Sequence, residues 1–219
     1  MNSKGKYYWL LLAFPLFFVA WFFINNNNSK PLRTLPYFGK KNAFKKGDTV
    51  YHTVKPFCFI NQDNKKVTEE TVTNKIYVTD FFFTTCQSIC PIMSTQLERV
   101  YKTFAKRTDV LIISHTVEPE IDSINVLKKY AKLHGVTNNQ WLFVTGDKKQ
   151  LYDMARTGYL LNNEVGNGDE NDFIHTQNFA LVDKERHLRG FYDGTDTADV
   201  SRLILEMNLL LQEYDSKAK

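Results

Sequence analysis

The segment Lys75–Phe83 reads KIYVTDFFF, and Cys86-Gln87-Ser88-Ile89-Cys90-Pro91 follows almost at once. The first stretch is dense in β-branched and aromatic residues and predicts a strand. From about Pro91 to Ala105 the apolar residues Met93, Leu97, Val100, Tyr101 and Phe104 recur at helical spacing. A strand that turns directly into a helix is half of a βαβ unit, and that restricts the chain to architectures containing parallel strands.

The downstream pattern continues the alternation. Val110–Ser114, Trp141–Val144, Phe179–Val182 and Leu188–Tyr192 read as strands, the last two as a hairpin around Asp183-Lys184. Ile124–Leu133, with Ser123 as candidate N-cap, and Lys148–Arg156 read as helices. The final helix runs from about Ala198 to Tyr214, with Val200, Leu203, Ile204, Met207, Leu210 and Leu211 in one stripe. Thr49–Ile60 adds strands ahead of the first helix. Asn162–Asp172 is a polar loop. The fold class is α/β, a mixed sheet flanked by helices.

The amino terminus is of another kind. No charged residue occurs between Lys6 and Lys30, and Tyr7–Ile24 reads YYWLLLAFPLFFVAWFFI. As a helix this stretch spans roughly 27 Å, close to the hydrocarbon thickness of a bilayer. Tyr7, Tyr8, Trp9 and Trp21 suit the two interfaces. Asparagines follow where a signal peptidase needs small residues, so an uncleaved anchor is expected. Three divisions result: residues 1–24 as membrane anchor, 25–46 as polar linker and 47–219 as the folded domain. The net charge of +4 is mild. Lys30, Arg33, Lys40, Lys41, Lys45 and Lys46 beside the anchor fit a membrane surface, and no nucleic-acid footprint is present.

The chain has 3 cysteines, too few for a disulfide scaffold. On one helical turn, Cys86 and Cys90 face the same way. A helix N-terminus also lowers thiol pKa values. The pair alone allows a structural disulfide, a redox-active dithiol or two metal ligands. Its place at a strand-to-helix turn counts against the first. The chain lacks a second Cys or His pair for a four-ligand zinc site, whereas two thiolates and one imidazole suit copper(I). A peroxiredoxin would need proline and threonine where Thr79 and Phe83 stand.

The whole run YVTDFFFTTCQSICPIMSTQLERVY resembles the signature of the Sco/SenC family of copper-binding proteins with a thioredoxin fold. Ile113–Ser123, LKKYAKLHG from Leu127, Trp141–Gly146, Phe173–Thr176 and Ala180–Asp183 match the family in order, over roughly Val54 to Tyr214. The resemblance implies that Cys86, Cys90 and His175 are ligands to one copper ion, as Cu(I) or as Cu(II). It implies a metallochaperone for the binuclear copper centre of cytochrome c oxidase subunit II. A periplasmic copper donor or thiol reductant would be its supplier. It also implies one N-terminal helix, with the domain in the bacterial periplasm or the mitochondrial intermembrane space. The N-terminus shows no Arg- and Ser-rich transit peptide, so a single-pass bacterial inner-membrane protein with a periplasmic domain is expected. The alternative is a thiol-disulfide oxidoreductase in which Cys86 and Cys90 are catalytic. Against that stand three residues, not two, between the cysteines, and no proline in His175-Thr176-Gln177-Asn178. One departure from the family is Ile174, where an acid often precedes the histidine.

The remaining candidates have plainer readings. Cys58 in Phe57-Cys58-Phe59-Ile60 is expected to be a buried free thiol, and Met93 core filler. His52, His134 and His187 are expected to be solvated, and His115 sits at a strand end without a ligand role. Asp80 interrupts an apolar strand and is either a buried acid near the thiols or an outward-facing residue.

Overall fold

The computed structural model describes residue 21 and residues 34–40, 42–45, 48–161 and 173–217. Apart from Trp21, the expected anchor lies outside the described residues, as do much of the linker and the loop 162–172. Among the described residues no helix is long and apolar enough to cross a membrane. The chain divides into two units, Met1–Arg33 and Thr34–Lys219, and the sheet and its helices belong to the second.

Among the described residues nine strands form: β1 (Asn42–Lys45), β2 (Asp48–Val50), β3 (Cys58–Asn61), β4 (Lys66–Thr68), β5 (Ile76–Phe82), β6 (Val110–Thr116), β7 (Trp141–Thr145), β8 (Asn178–Val182) and β9 (Leu188–Asp193). The helices are α1 (Ile89–Thr103), α2 (Ile124–Leu133), α3 (Lys148–Asp153) and α4 (Thr197–Lys217), with a π turn, Met154–Gly158, extending α3. β1 and β2 pair with each other, and the other seven form one sheet in the order β4-β3-β7-β6-β5-β8-β9. β5, β6 and β7 run parallel; β3, β4, β8 and β9 add antiparallel flanks.

Every residue of β5 and β6 is buried, because helices cover both faces and parallel centre strands have no solvent side. Alternation along the strands divides the core in two. Ile76, Val78, Phe82, Ile112, Trp141 and Phe143 pack against α1, α2 and α4. Tyr77, Phe81, Leu111, Ile113, Leu142 and Val144 pack against α3, the π turn and Ile174. Burial of each such side chain contributes about 1.5–3 kcal/mol. α2 stops at Gly135, whose φ of +69° lets the Val136 N–H return to the Ala131 carbonyl at 3.0 Å.

Three expectations are corrected. Cys58 is exposed, because β3 sends Phe59 and Asn61 inward and its neighbours outward. His52, His134 and His187 are half-buried with partners, respectively the Gly158 carbonyl at 2.7 Å, Glu98 at 3.0 Å and the His52 carbonyl at 2.9 Å. Part of the linker stretch is ordered against the domain: Leu35 belongs to the core and the Phe38 N–H bonds the Leu188 carbonyl at 2.9 Å. The fully buried Arg189 holds this segment. It donates to the Leu35 and Pro36 carbonyls and pairs with Asp183 at 2.9 Å and Glu213 at 3.1 Å.

Candidate metal centre

The thiol pair sits where β5 leaves the sheet. Phe83 follows the last paired residue, the Cys86 N–H returns to the Phe83 carbonyl at 3.3 Å, and α1 begins at Ile89. Pro91 falls in the first helical turn, where a missing N–H costs nothing. Ser88 occupies the N-cap position but makes no capping bond with its side chain. Instead the Cys86 sulfur accepts the Cys90 N–H at 3.4 Å. A sulfur acceptor thus satisfies one of the helix's orphan donors, a task usually left to a Ser or Asp oxygen.

This placement separates the two thiols chemically. Partial burial pushes the Cys86 pKa up, but hydrogen bonds from the Cys90 thiol and N–H and from Ser88 outweigh it and bring the value down to about 7. Cys90, at 3% exposure, goes the other way: burial, then the Cys86 thiol and the negative charges of Cys86 and Asp80, push it up to about 12. Both thiols are free. Met93 lies in the same core cluster as Cys90 and is buried, as core filler would be.

Asp80 is a buried acid on the thiol side of the sheet, at 1% exposure. Burial raises its pKa to about 7, opposed by a hydrogen bond from Ser114. His115 lies on the opposite side, stacked on Phe81 with ring centroids 4.9 Å apart. Its Nδ1 bonds the Thr79 hydroxyl, which itself donates to the Ile113 carbonyl. Nδ1 therefore carries the proton and Nε2 is left bare.

His175 is exposed in the stretch that leads into β8, and among the described residues it makes no hydrogen bond. Its neighbour Ile174 is buried in the second core, and Phe173 meets Phe83 edge-on at 5.4 Å. The histidine segment is thus tied to the end of β5 that carries the cysteines. No group of three His, Cys, Asp or Glu side chains arranged to hold a metal occurs among the described residues. Cys86 and Cys90 are brought together; His175 is not assembled with them.

A set of contacts that the sequence did not indicate surrounds the turn. Asp122, fully buried, accepts hydrogen bonds from the hydroxyls of Thr84 and Thr116 and from the Thr84 N–H. Glu118 accepts from the Thr85 hydroxyl at 2.9 Å. A separate groove of about 810 Å³, lined by Phe57, Cys58, Phe59 and Met154, contains neither Cys86, Cys90 nor His175.

A mixed α/β domain with a dithiol at the N-terminus of the helix that follows an inner parallel strand is a thioredoxin-like protein. Within that class, a family model described as SCO1/SenC matches residues 45–208, and the chain belongs to this family. It is 31% identical over 162 residues to the SCO1 protein homolog of Bacillus subtilis (strain 168), covering 73% of this chain and 83% of that protein. The solved structure of BsSco, described as a member of the Sco family of cytochrome c oxidase assembly proteins with a disulfide switch, is 30% identical. It matches with a TM-score of 0.61 over 72% of this chain and 92% of that one. Arabidopsis thaliana ScoI, solved with copper bound, is alike in fold, at 24% identity and a TM-score of 0.57 over 74% of this chain and 99% of that one.

Proposed function

We propose that this protein is a membrane-anchored copper metallochaperone that binds one copper ion through Cys86, Cys90 and His175. Its destination is the binuclear copper centre of cytochrome c oxidase subunit II. The observation that carries the reading is the free Cys86–Cys90 pair on one turn, with the His175 segment packed at the same strand end through Phe83 and Phe173. The donor set fits the cargo: thiolate and imidazole are ligands for copper(I), and a thiol with a pKa of about 7 gives up its proton readily. Among the described residues no hydrogen bond competes for His175, which leaves it able to turn toward an ion held by the thiols. The matched family and the description of BsSco as a cytochrome c oxidase assembly protein support the destination. The uncharged stretch Tyr7–Ile24 supports a single-pass anchor in a bacterial inner membrane, with the domain and its copper donor in the periplasm.

The test is a copper(I) titration of the reduced full chain in detergent micelles against a competing chelator, for wild type and His175→Ala. One ion per chain, held at least tenfold more weakly by the variant, is expected. Equal affinity in the two proteins would remove His175 from the site.

A second reading, thiol-disulfide reduction, is favoured by the unequal thiols. The Cys86 thiolate would attack a target disulfide and release one target thiol. Cys90, deprotonated as it attacks, would then displace the second. The target leaves as a dithiol, Cys86–Cys90 becomes the disulfide, and an external thiol reductant restores it. Turnover of a model disulfide by the copper-free protein, lost in Cys86→Ser, distinguishes this reading.

A further inference from the structure

The buried carboxylate of Asp122 has no cationic partner among the described residues. Burying such a group is costly unless hydrogen bonds compensate. Its compensation comes from Thr84 and Thr116, which belong to different segments. Thr116 ends β6, the parallel neighbour of β5, and Val117 is bonded back to Phe82 at 2.9 Å. Thr84 lies two positions before Cys86. Glu118 extends the same grip to Thr85, and its own N–H is held by the Thr116 hydroxyl at 3.0 Å. Two carboxylates on the loop between β6 and α2 thus hold the two residues that immediately precede the first cysteine. Bonds to a carboxylate are among the stronger hydrogen bonds available to a protein.

We propose that Asp122 is the positioning residue of the thiol pair: through Thr84 it fixes the turn so that the Cys86 sulfur stays on the Cys90 N–H. A disulfide draws the two sulfurs from hydrogen-bonding contact to covalent distance, and that shift must be taken up by the turn that Thr84 anchors. The clamp therefore holds the pair in its dithiol form, with both sulfurs available to one ligand. The copper part of the inference rests on the function proposed above; the dithiol part does not.

The experiment uses the full chain in detergent, as wild type, Asp122→Asn, Thr84→Val and Thr84→Ser. Thr84→Val removes the hydroxyl from a half-exposed site and folds independently of whether the buried Asp122 tolerates change. Thr84→Ser keeps the hydroxyl and serves as the conservative rescue. Two quantities are read. One is the equilibrium with glutathione, in which the dithiol and one glutathione disulfide give the Cys86–Cys90 disulfide and two glutathione thiols. The other is copper(I) affinity by chelator competition. Asp122→Asn and Thr84→Val are expected to shift the glutathione equilibrium roughly tenfold toward the protein disulfide and to weaken copper(I) by about tenfold or more, with Thr84→Ser near wild type. Variants that melt earlier but keep the wild-type glutathione equilibrium would make Asp122 a structural residue and end the proposal. A wild type that binds no copper(I), with the glutathione equilibrium still shifted in the variants, would overturn the chaperone reading and leave the clamp standing.

Discussion

Asp80 and His115 sit on neighbouring central strands and are both fully buried, yet they face opposite sides of the sheet. Asp80 looks toward the core shared with α1 and lies near Cys90, whose pKa its charge raises. His115 is enclosed by Phe59, Phe81 and Tyr159. Burial disfavours the charged form of each, and it moves an acid and a base in opposite directions: Asp80 up to about 7, His115 down to about 3. The face with the thiols thus keeps a proton that can titrate near neutral pH. The aromatic face keeps a polar group that does not titrate until the medium is strongly acidic. The same physical cause makes one side responsive and the other inert.

The largest test of that contrast is on the inert side. Tyr159 is fully buried against Tyr77, Phe81 and His115. Tyr159→Ala is expected to cost about 3–5 kcal/mol in urea unfolding, through lost burial and the cavity left behind. The rate of Cys86 alkylation under native conditions should not change. A variant that lost both would show that the two faces are coupled.

A smaller effect, with a sign, comes from pH. Asp80 is protonated in the fold up to about 7 but ionises near 3.8 when unfolded. Its contribution to stability is full below 3.8 and is lost as pH rises through 7. For His115 the contribution is full above 6.5, its unfolded value, and is lost as pH falls through 3. Each slope is about 1.4 kcal/mol per pH unit, and they oppose each other over the shared window. Asp80→Asn should therefore stabilise the protein by roughly 2–3 kcal/mol at pH 8. It should also expose the His115 slope, so that the variant loses stability between pH 6.5 and 4. His115→Phe should do the reverse and leave a protein that gains stability over the same range. Chemical denaturation at several pH values measures both.

Much of this arrangement was legible in the sequence where local periodicity carried the information. β5, α1, α2 and the hairpin β8–β9 lie within a few residues of where apolar spacing put them. The two cysteines declared themselves by spacing and by their place between strand and helix. Other features depend on residues far apart in the chain, and no window contains both partners. Arg189 draws on Leu35 and Glu213, and Thr84 on Asp122. Cys58 departs from expectation because an apolar run looks alike whether both faces or one are covered. The side Asp80 takes became readable only once Ile76, Val78 and Phe82 had been assigned to the face of α1. His175 entered through family resemblance, because a lone exposed histidine carries no local mark of ligation.

The smallest expected effect lies within the thiol pair and sharpens the contrast at the level of single hydrogen bonds. In a Cys58→Ser background, which removes the exposed third thiol, alkylation of the reduced, metal-free protein should follow a single ionisation near pH 7, at Cys86 alone. Cys90, buried and held at about 12, should stay unmodified until the protein unfolds. The Ser88 hydroxyl lies 3.7 Å from the Cys86 sulfur, a longer contact than the 3.4 Å from the Cys90 N–H. Ser88→Ala should accordingly raise the Cys86 midpoint by no more than about one pH unit, since one such bond is worth about 0.5–1.5 kcal/mol. Peptide mapping of the alkylated protein against pH measures both quantities. A midpoint that rose by two units or more would place the main stabilisation of the thiolate at Ser88. The backbone of the helix would then be a minor contributor, and the thiol's low pKa would belong to one side chain instead of the turn.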